Sequence, residues 1–290
     1  MKIYPKKILN HQKMRKKIFF SYNNVIEAFL EKEKKLKMKD FLIFPGKKEA
    51  KFSYSKFKEE YLRTSLNLRQ YRLKKGDKVS IIFFNQPEFF LFYFACLSKG
   101  LTVVPINPDL SSQEINFIIQ HSEAKLVIYT KEIGYKLNYS KKNKKKGVNF
   151  LSINSYEELK ILNNFKTFNK NNEKVFLHDN AVIIYTSGTT GNPKGVVLTH
   201  MNLLADSQAI GKWFKFSDKT ITMCILPLFH NNGQVTTFLA PMLAGGSSII
   251  TPGKTSILNF WNLVEKYSIT WTSIMASILS MLLSFPKNKK

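Results

Sequence analysis

A chain of 290 residues with 44% apolar and 13% aromatic content can bury one large core or two modest ones, which excludes a disordered tail. The formal net charge of +25 invites a nucleic-acid partner. Of the 45 basic residues, however, only Arg15, Arg63, Arg69 and Arg72 are arginine, the base that reads guanine and forks onto phosphate. A chain rich in lysine, asparagine, isoleucine and phenylalanine fits coding bias in an AT-rich genome. No nucleic acid is expected as a partner, and the charge reads as solvated surface. Cys96 and Cys224 lie in apolar stretches without a pairing spacing, as buried thiols do. Only three apolar residues follow Lys17, and the longest apolar run, 89–97, is closed by Lys99, so neither a signal peptide nor an integral membrane segment is expected. A cytoplasmic location is expected, with a basic surface open to peripheral attraction by a membrane.

Residues 1–50 read as a lead-in, and 51–180 as a first α/β unit. The run 79–84 (Val-Ser-Ile-Ile-Phe-Phe) is a buried strand by its β-branched and aromatic content. Pro87 opens a helix through Lys99, Gly100 stops it, and 101–104 is the next strand. Ser111 and Glu114 form a capping box, behind which Ile115, Ile118 and Ile119 share one helical face. A third strand follows at 126–129. Strands and helices alternating through short connections imply a parallel α/β sheet. The pattern decays over 131–174, where 141–146 (Lys-Lys-Asn-Lys-Lys-Lys) marks a surface excursion.

Residues 181–290 read as a second α/β unit. A strand at 181–185 runs into a glycine-rich loop, and 196–198 continues extended. Helices are expected at 202–214, 233–243, 256–266 and 276–284, with strands at 221–226, 248–250 and 269–273. No internal repeat is visible.

The loop carries the chemistry. Gly188 and Gly191 let backbone N–H groups turn inward toward a polyphosphate. Thr186, Ser187, Thr189 and Thr190 bring hydroxyl donors, Thr186 is in addition a candidate magnesium ligand, and Lys194 offers a point charge to migrating phosphates. The run is not a Walker A loop, because only two residues separate the glycines and the lysine comes three later. No Gly-x-Gly-x-x-Gly fingerprint of a dinucleotide site exists either. A plain Gly/Thr turn would explain a short cluster of this kind, but not the order of this one.

That order, 185–200 (Tyr-Thr-Ser-Gly-Thr-Thr-Gly-Asn-Pro-Lys-Gly-Val-Val-Leu-Thr-His), resembles the signature of the AMP-forming acyl-CoA synthetases. Firefly luciferases and peptide-synthetase adenylation domains share it. The runs 52–57, 100–108 and 226–233 (Leu-Pro-Leu-Phe-His-Asn-Asn-Gly) are similar to further motifs of that family in the same order. The resemblance implies the large N-terminal domain of an adenylate-forming enzyme, with two parallel-sheet α/β units. It implies ATP, Mg2+ and coenzyme A as co-substrates or cofactors, and a small-molecule carboxylate, fatty or other organic acid, as substrate. The acid would attack the α-phosphate, and the acyl group would pass to a thiol. The loop from Thr186 to Lys194 would then cradle the departing phosphates. His230, with Asn231, Asn232 and Gly233, would lie near the acyl and adenylate site as the catalytic candidate. The Pro-Leu-Phe-His form favours acyl-CoA synthetases over peptide-synthetase domains. His200 reads as structural, and His11, His121 and His178 lack any such context.

The family continues with an adenine-binding segment bearing an acidic magnesium ligand, a ribose-binding aspartate, a hinge, and a small domain with a catalytic lysine. These 290 residues hold no match to those parts, and Ala276 stands where the family often has proline. Losing one transition-state donor costs about two or three orders of magnitude in rate. The expectation is therefore a truncated or split gene product, inactive alone. The alternative is a non-catalytic nucleotide- or phosphate-binding module that pairs with a separate chain supplying the C-terminal half.

Overall fold

The computed structural model describes residues 21–46, 48–138, 147–162, 173–186 and 193–284. Helix α1 (Val25–Leu36) starts where the Asn24 side chain accepts from the Glu27 N–H (2.9 Å), and Lys34 and Lys35 occupy its last turn, as the helix dipole favours. Strands β1 (Asp40–Phe44) and β2 (Ala50–Ser53) pair antiparallel, and α2 (Tyr54–Asn67) follows from the Ser53 cap. Then come β3 (Lys78–Ile82), α3 (Pro87–Leu97), β4 (Thr102–Pro105), α4 (Ser112–His121) and β5 (Leu126–Thr130). Pro87 sits in the first turn of α3, and the Ser111–Glu114 capping box forms as expected.

The stretch read as a surface excursion contributes more than loop. It holds a 3-10 turn (Lys131–Leu137), strand β6 (Asn149–Ile153) and helix α5 (Tyr156–Leu162), with β6 parallel to β5 over five residue pairs. Residues 141–146 lie outside the described residues. Beyond them run β7 (Asn180–Thr186), β8 (Lys194–Thr199), α6 (His200–Trp213) and β9 (Ile221–Cys224). The single helix expected at 233–243 is three pieces: α7 (Asn231–Gln234), a π turn (Val235–Leu239) and α8 (Ala240–Ala244). Pro241 has no N–H to offer the Thr237 carbonyl one turn back. The hydroxyls of Thr222 (2.7 Å) and Ser248 (2.8 Å) donate to that carbonyl instead. Strand β10 (Ser247–Ile250), a 3-10 turn (Gly253–Asn259), α9 (Phe260–Tyr267), a two-residue β11 (Trp271–Thr272) and α10 (Ala276–Ser284) complete the order.

Two sheets result. The six-stranded one runs β6-β5-β3-β4-β7-β8, parallel except for β8, and the five-stranded one runs β11-β9-β10-β1-β2, parallel except for β2. Strands β7 and β8, although beyond residue 180, belong to the first sheet, and β1 and β2 carry part of the N-terminal segment into the second. The boundary expected at 180 therefore does not separate the sheets, and residues 25–44 are no mere lead-in. Their strand β1 pairs with β10, some two hundred residues away in sequence.

The main core lies between the sheets. Every residue of α3 from Glu88 to Leu97 is buried there, against Val79, Ile81 and Val103 of one sheet and near Phe41, Cys224 and Ile250 of the other. Helix α4 covers the outer face of the six-stranded sheet through Ile115, Ile118 and Ile119. Helices α9 and α10 cover the outer face of the five-stranded sheet through Phe260, Leu263, Ile278 and Leu282. The architecture is thus layered α, β, α, β, α. Both cysteines are buried and free, and among the described residues no helix is long and apolar enough to cross a membrane.

Candidate functional site

Strands β3, β4 and β7 are parallel, so the segments following β3 and β7 leave the sheet at the same end, where open α/β sheets place their ligands. Thr186 is the last residue of β7 and Lys194 the first of β8, and the two are direct partners in the hairpin register. Partners across a ladder put their side chains on one face. One hydroxyl and one ammonium, both exposed, therefore flank the mouth of the loop. Ser187, Gly188, Thr189, Thr190 and Gly191 lie outside the described residues.

The base of the hairpin is propped from the α4 side. The Tyr185 hydroxyl lies 2.7 Å from Nδ1 of His121, whose ring stacks on Phe117 at 5.2 Å between centroids. A Cβ on Gly195 would stand 3.2 Å from the Tyr185 ring, so glycine there lets the tyrosine lie over the backbone. Partial burial raises the Tyr185 hydroxyl above its ordinary pKa. His121 had no motif to mark it in the sequence. Its contact depends on Tyr185, which arrives from a strand sixty-four positions later.

His200 is fully buried at the end of β8. Its Nδ1 accepts from the Val25 N–H at 3.3 Å and its backbone N–H donates to the Asp179 carbonyl at 3.1 Å, while Lys75 pairs with Asp179 at 2.6 Å. Burial lowers its pKa to about 4. This is the structural histidine expected from the sequence, bonding the hairpin to α1.

His230 lies in the segment after β9, just ahead of α7. Its N–H donates to Pro227 (3.2 Å), its carbonyl accepts from Gln234 (3.3 Å), and its ring tilts against Phe229 at 4.7 Å. Partial burial lowers its pKa, which favours a neutral imidazole near neutrality. A Cβ at Gly233 would come within 2.7 Å of the Pro227 carbonyl, so only glycine allows the chain to fold back this closely. Gln234 donates to the Leu228 carbonyl at 2.7 Å, and Asn85 bonds Leu226 and Leu228 at 3.0 Å each. The remaining oxygen of Gln234 and that of Asn231 are buried acceptors with no hydrogen-bond donor among the described residues. Asn85 and Gln234 went unnoticed in the sequence, where nothing marks a side-chain amide whose partner is remote backbone.

Among the described residues no three His, Cys, Asp or Glu side chains converge on a metal site. A magnesium ion at this mouth would rest on Thr186, water and phosphate oxygens, a donor set that suits it.

A strand-loop-strand presenting Thr186 and Lys194 beside parallel strand ends, with an exposed histidine in a loop of the second sheet, defines a two-sheet α/β class of protein. The profile of the AMP-binding enzyme family matches residues 29–290, and the chain belongs to that family. It is 28% identical over 245 residues to the crotonobetaine/carnitine–CoA ligase of Salmonella paratyphi B, covering 81% of this chain and 47% of the ligase. The chain thus spans about half the length of the curated relatives it matches. Its fold is that of the inhibitor-bound N-terminal domain of FACL13 from Mycobacterium tuberculosis, with a TM-score of 0.80 and 23% identity over 91% of this chain and 66% of that one. Apo MatB from Rhodopseudomonas palustris gives a TM-score of 0.78 and 22% identity, covering 91% of this chain and 52% of MatB.

Proposed function

We propose that this chain supplies the nucleotide-phosphate loop and the His230 loop of an enzyme that activates a carboxylic acid with ATP and passes the acyl group to coenzyme A. The observation that carries the reading is the direct pairing of Thr186 with Lys194 across the loop mouth. In the proposed reaction a carboxylate oxygen bonds to the α-phosphorus of ATP. The bond to the bridging oxygen breaks, and pyrophosphate leaves with the electron pair. Charge grows on the departing phosphates, where the Lys194 ammonium and the hydroxyls and N–H groups of 186–191 stabilise it. Bound Mg2+ supplies further neutralisation of that charge. His230, kept neutral by partial burial, faces the acyl-adenylate and orients it by hydrogen bonding. The substrate is a small organic or fatty acid, and the site of action is the cytoplasm.

A second reading is favoured by one surface. Trp261 (63% exposed), Leu258 (79%) and Leu283 (73%) leave an apolar face over α9, α10 and their approach, on the side of the sheet edged by β11. A strand edge with no partner strand among the described residues, beside exposed apolar side chains, suits a further polypeptide. In this reading the chain is a nucleotide-binding module that works with a separate chain supplying the C-terminal half.

The test is carboxylate-dependent exchange of labelled pyrophosphate into ATP, measured for the 290-residue chain alone and with a polypeptide carrying the rest of the family's fold. We expect no exchange alone and acid-dependent exchange in the mixture. Exchange by the chain alone would overturn the need for a complement. A mixture that forms a complex yet exchanges nothing with any acid would leave the binding-module reading in place of the enzyme.

A further inference from the structure

Asn85 stands three residues beyond β3, at the end of the six-stranded sheet where the phosphate loop also leaves. Its side chain reaches the loop that follows β9 of the other sheet. The amide nitrogen donates to the Leu226 carbonyl and the amide oxygen accepts from the Leu228 N–H, both at 3.0 Å. A residue in a parallel ladder makes the same two bonds, to the carbonyl before its partner and the N–H after it. The Asn85 amide therefore acts as one residue of an extra strand set against Pro227. Gln234 then binds the Leu228 carbonyl at 2.7 Å, so both backbone polar groups of Leu228 are held by side-chain amides. The Leu228 side chain is 1% exposed, which leaves that residue little freedom to turn.

We propose that Asn85 is a positioning residue for His230, tying the His230 loop to the sheet that carries the phosphate loop. Leu228 is two residues from His230, and the His230 N–H is itself bonded to Pro227, the residue the amide brackets. The direction in which the chain enters Phe229 and His230 is thus set jointly by Gln234 and by a side chain from β3's sheet. Any ligand that spans the His230 loop and the hairpin mouth at Thr186 and Lys194 meets two sheets already tied to each other through Asn85. Such preorganisation raises affinity for the spanning ligand and leaves a ligand of the phosphate loop alone untouched. The inference rests on the reading of His230 as a residue of the acyl-adenylate site.

The test uses the 290-residue chain with two probes: hexanoyl-sulfamoyl adenosine, a non-reacting mimic of an acyl-adenylate, and Mg-ATP. Asn85→Ala is expected to weaken the mimic about tenfold, the scale of losing two hydrogen bonds, with Mg-ATP affinity within about twofold of wild type. Asn85→Asp keeps an acceptor for the Leu228 N–H but offers no donor to Leu226, and falls between. It carries the same comparison if the alanine variant does not fold. Amide exchange should speed up at Leu228 while β3 and β9 keep their protection, separating lost positioning from unfolding. Asn85 variants that bind the mimic as wild type does, while His230→Ala weakens it, would overturn this inference alone. A wild-type chain that binds no mimic, or a His230→Ala variant that binds it unchanged, would overturn the reading beneath it.

Discussion

The two loops of the candidate site are held in opposite ways. The described ends of the phosphate loop are fixed by backbone pairing within one hairpin, with Thr186 opposite Lys194. The His230 loop is held by side chains from distant places: Asn85 on Leu226 and Leu228, and Gln234 on Leu228. A glycine presses it onto its own backbone. The first arrangement leaves exposed donors for a highly charged ligand, which brings its own attraction. The second fixes the backbone that leads into an exposed ring, where orientation counts for more than charge. Electrostatic capture tolerates a simple frame, whereas placing one imidazole takes several converging bonds.

The largest effect should appear where the hairpin is bonded to α1. An unfolded histidine takes up its proton near pH 6.5, but buried His200 does so only near about 4. The unfolded chain thus binds more protons in this window, and stability falls as pH drops through it, by about 3 kcal/mol at the low end. His230, also lowered by burial, adds in the same direction. His200→Asn keeps an acceptor for the Val25 N–H without titrating. Denaturant melts from pH 7 to 4.5 should show a shallower loss for the variant, and an equal loss would remove His200 as the cause.

Next in size are the two glycines, which set the loops against each other. Alanine at Gly233 meets a backbone carbonyl at 2.7 Å and should cost about 2 kcal/mol in thermal or denaturant unfolding. Alanine at Gly195 meets only side chains, Ile183 at 3.0 Å and Tyr185 at 3.2 Å, which can give way. Its cost should stay below about 1 kcal/mol. Equal costs would erase the contrast between a clamped loop and an accommodating hairpin.

A third effect, smaller than that at Gly233, concerns the π turn after His230. Thr222→Val removes one of two hydroxyls on the Thr237 carbonyl and should cost about 1 kcal/mol. Adding Ser248→Ala orphans that buried carbonyl, so the double variant should lose more than the sum of the singles.

The hairpin was largely legible in the sequence and the clamp was not, for a physical reason. The order of hydroxyls, glycines and lysine from Thr186 to Lys194 carries its chemistry in residue identity, and the flanking β-branched runs declare their strands. The capping box at Ser111 and Glu114 is equally local. Strand β1 is a short apolar run behind a lysine-rich helix, and its meaning comes from β10. The π turn needs Pro241 together with hydroxyls on β9 and β10. Asn85 finds its partners some hundred and forty residues onward, and no periodicity points there. Contacts closed within a few residues leave a pattern in the chain, but those closed by the fold do not.

The central claim is that the β7–β8 hairpin forms a phosphate site within an acid-activating enzyme, and calorimetric titration of the chain with Mg-ATP tests it most directly. We predict saturable one-to-one binding, weakened about a hundredfold by Lys194→Ala, the scale of losing charge-assisted bonds. His230→Ala should leave that affinity unchanged. Undetectable binding by the wild type, or equal binding by wild type and Lys194→Ala, would contradict the account.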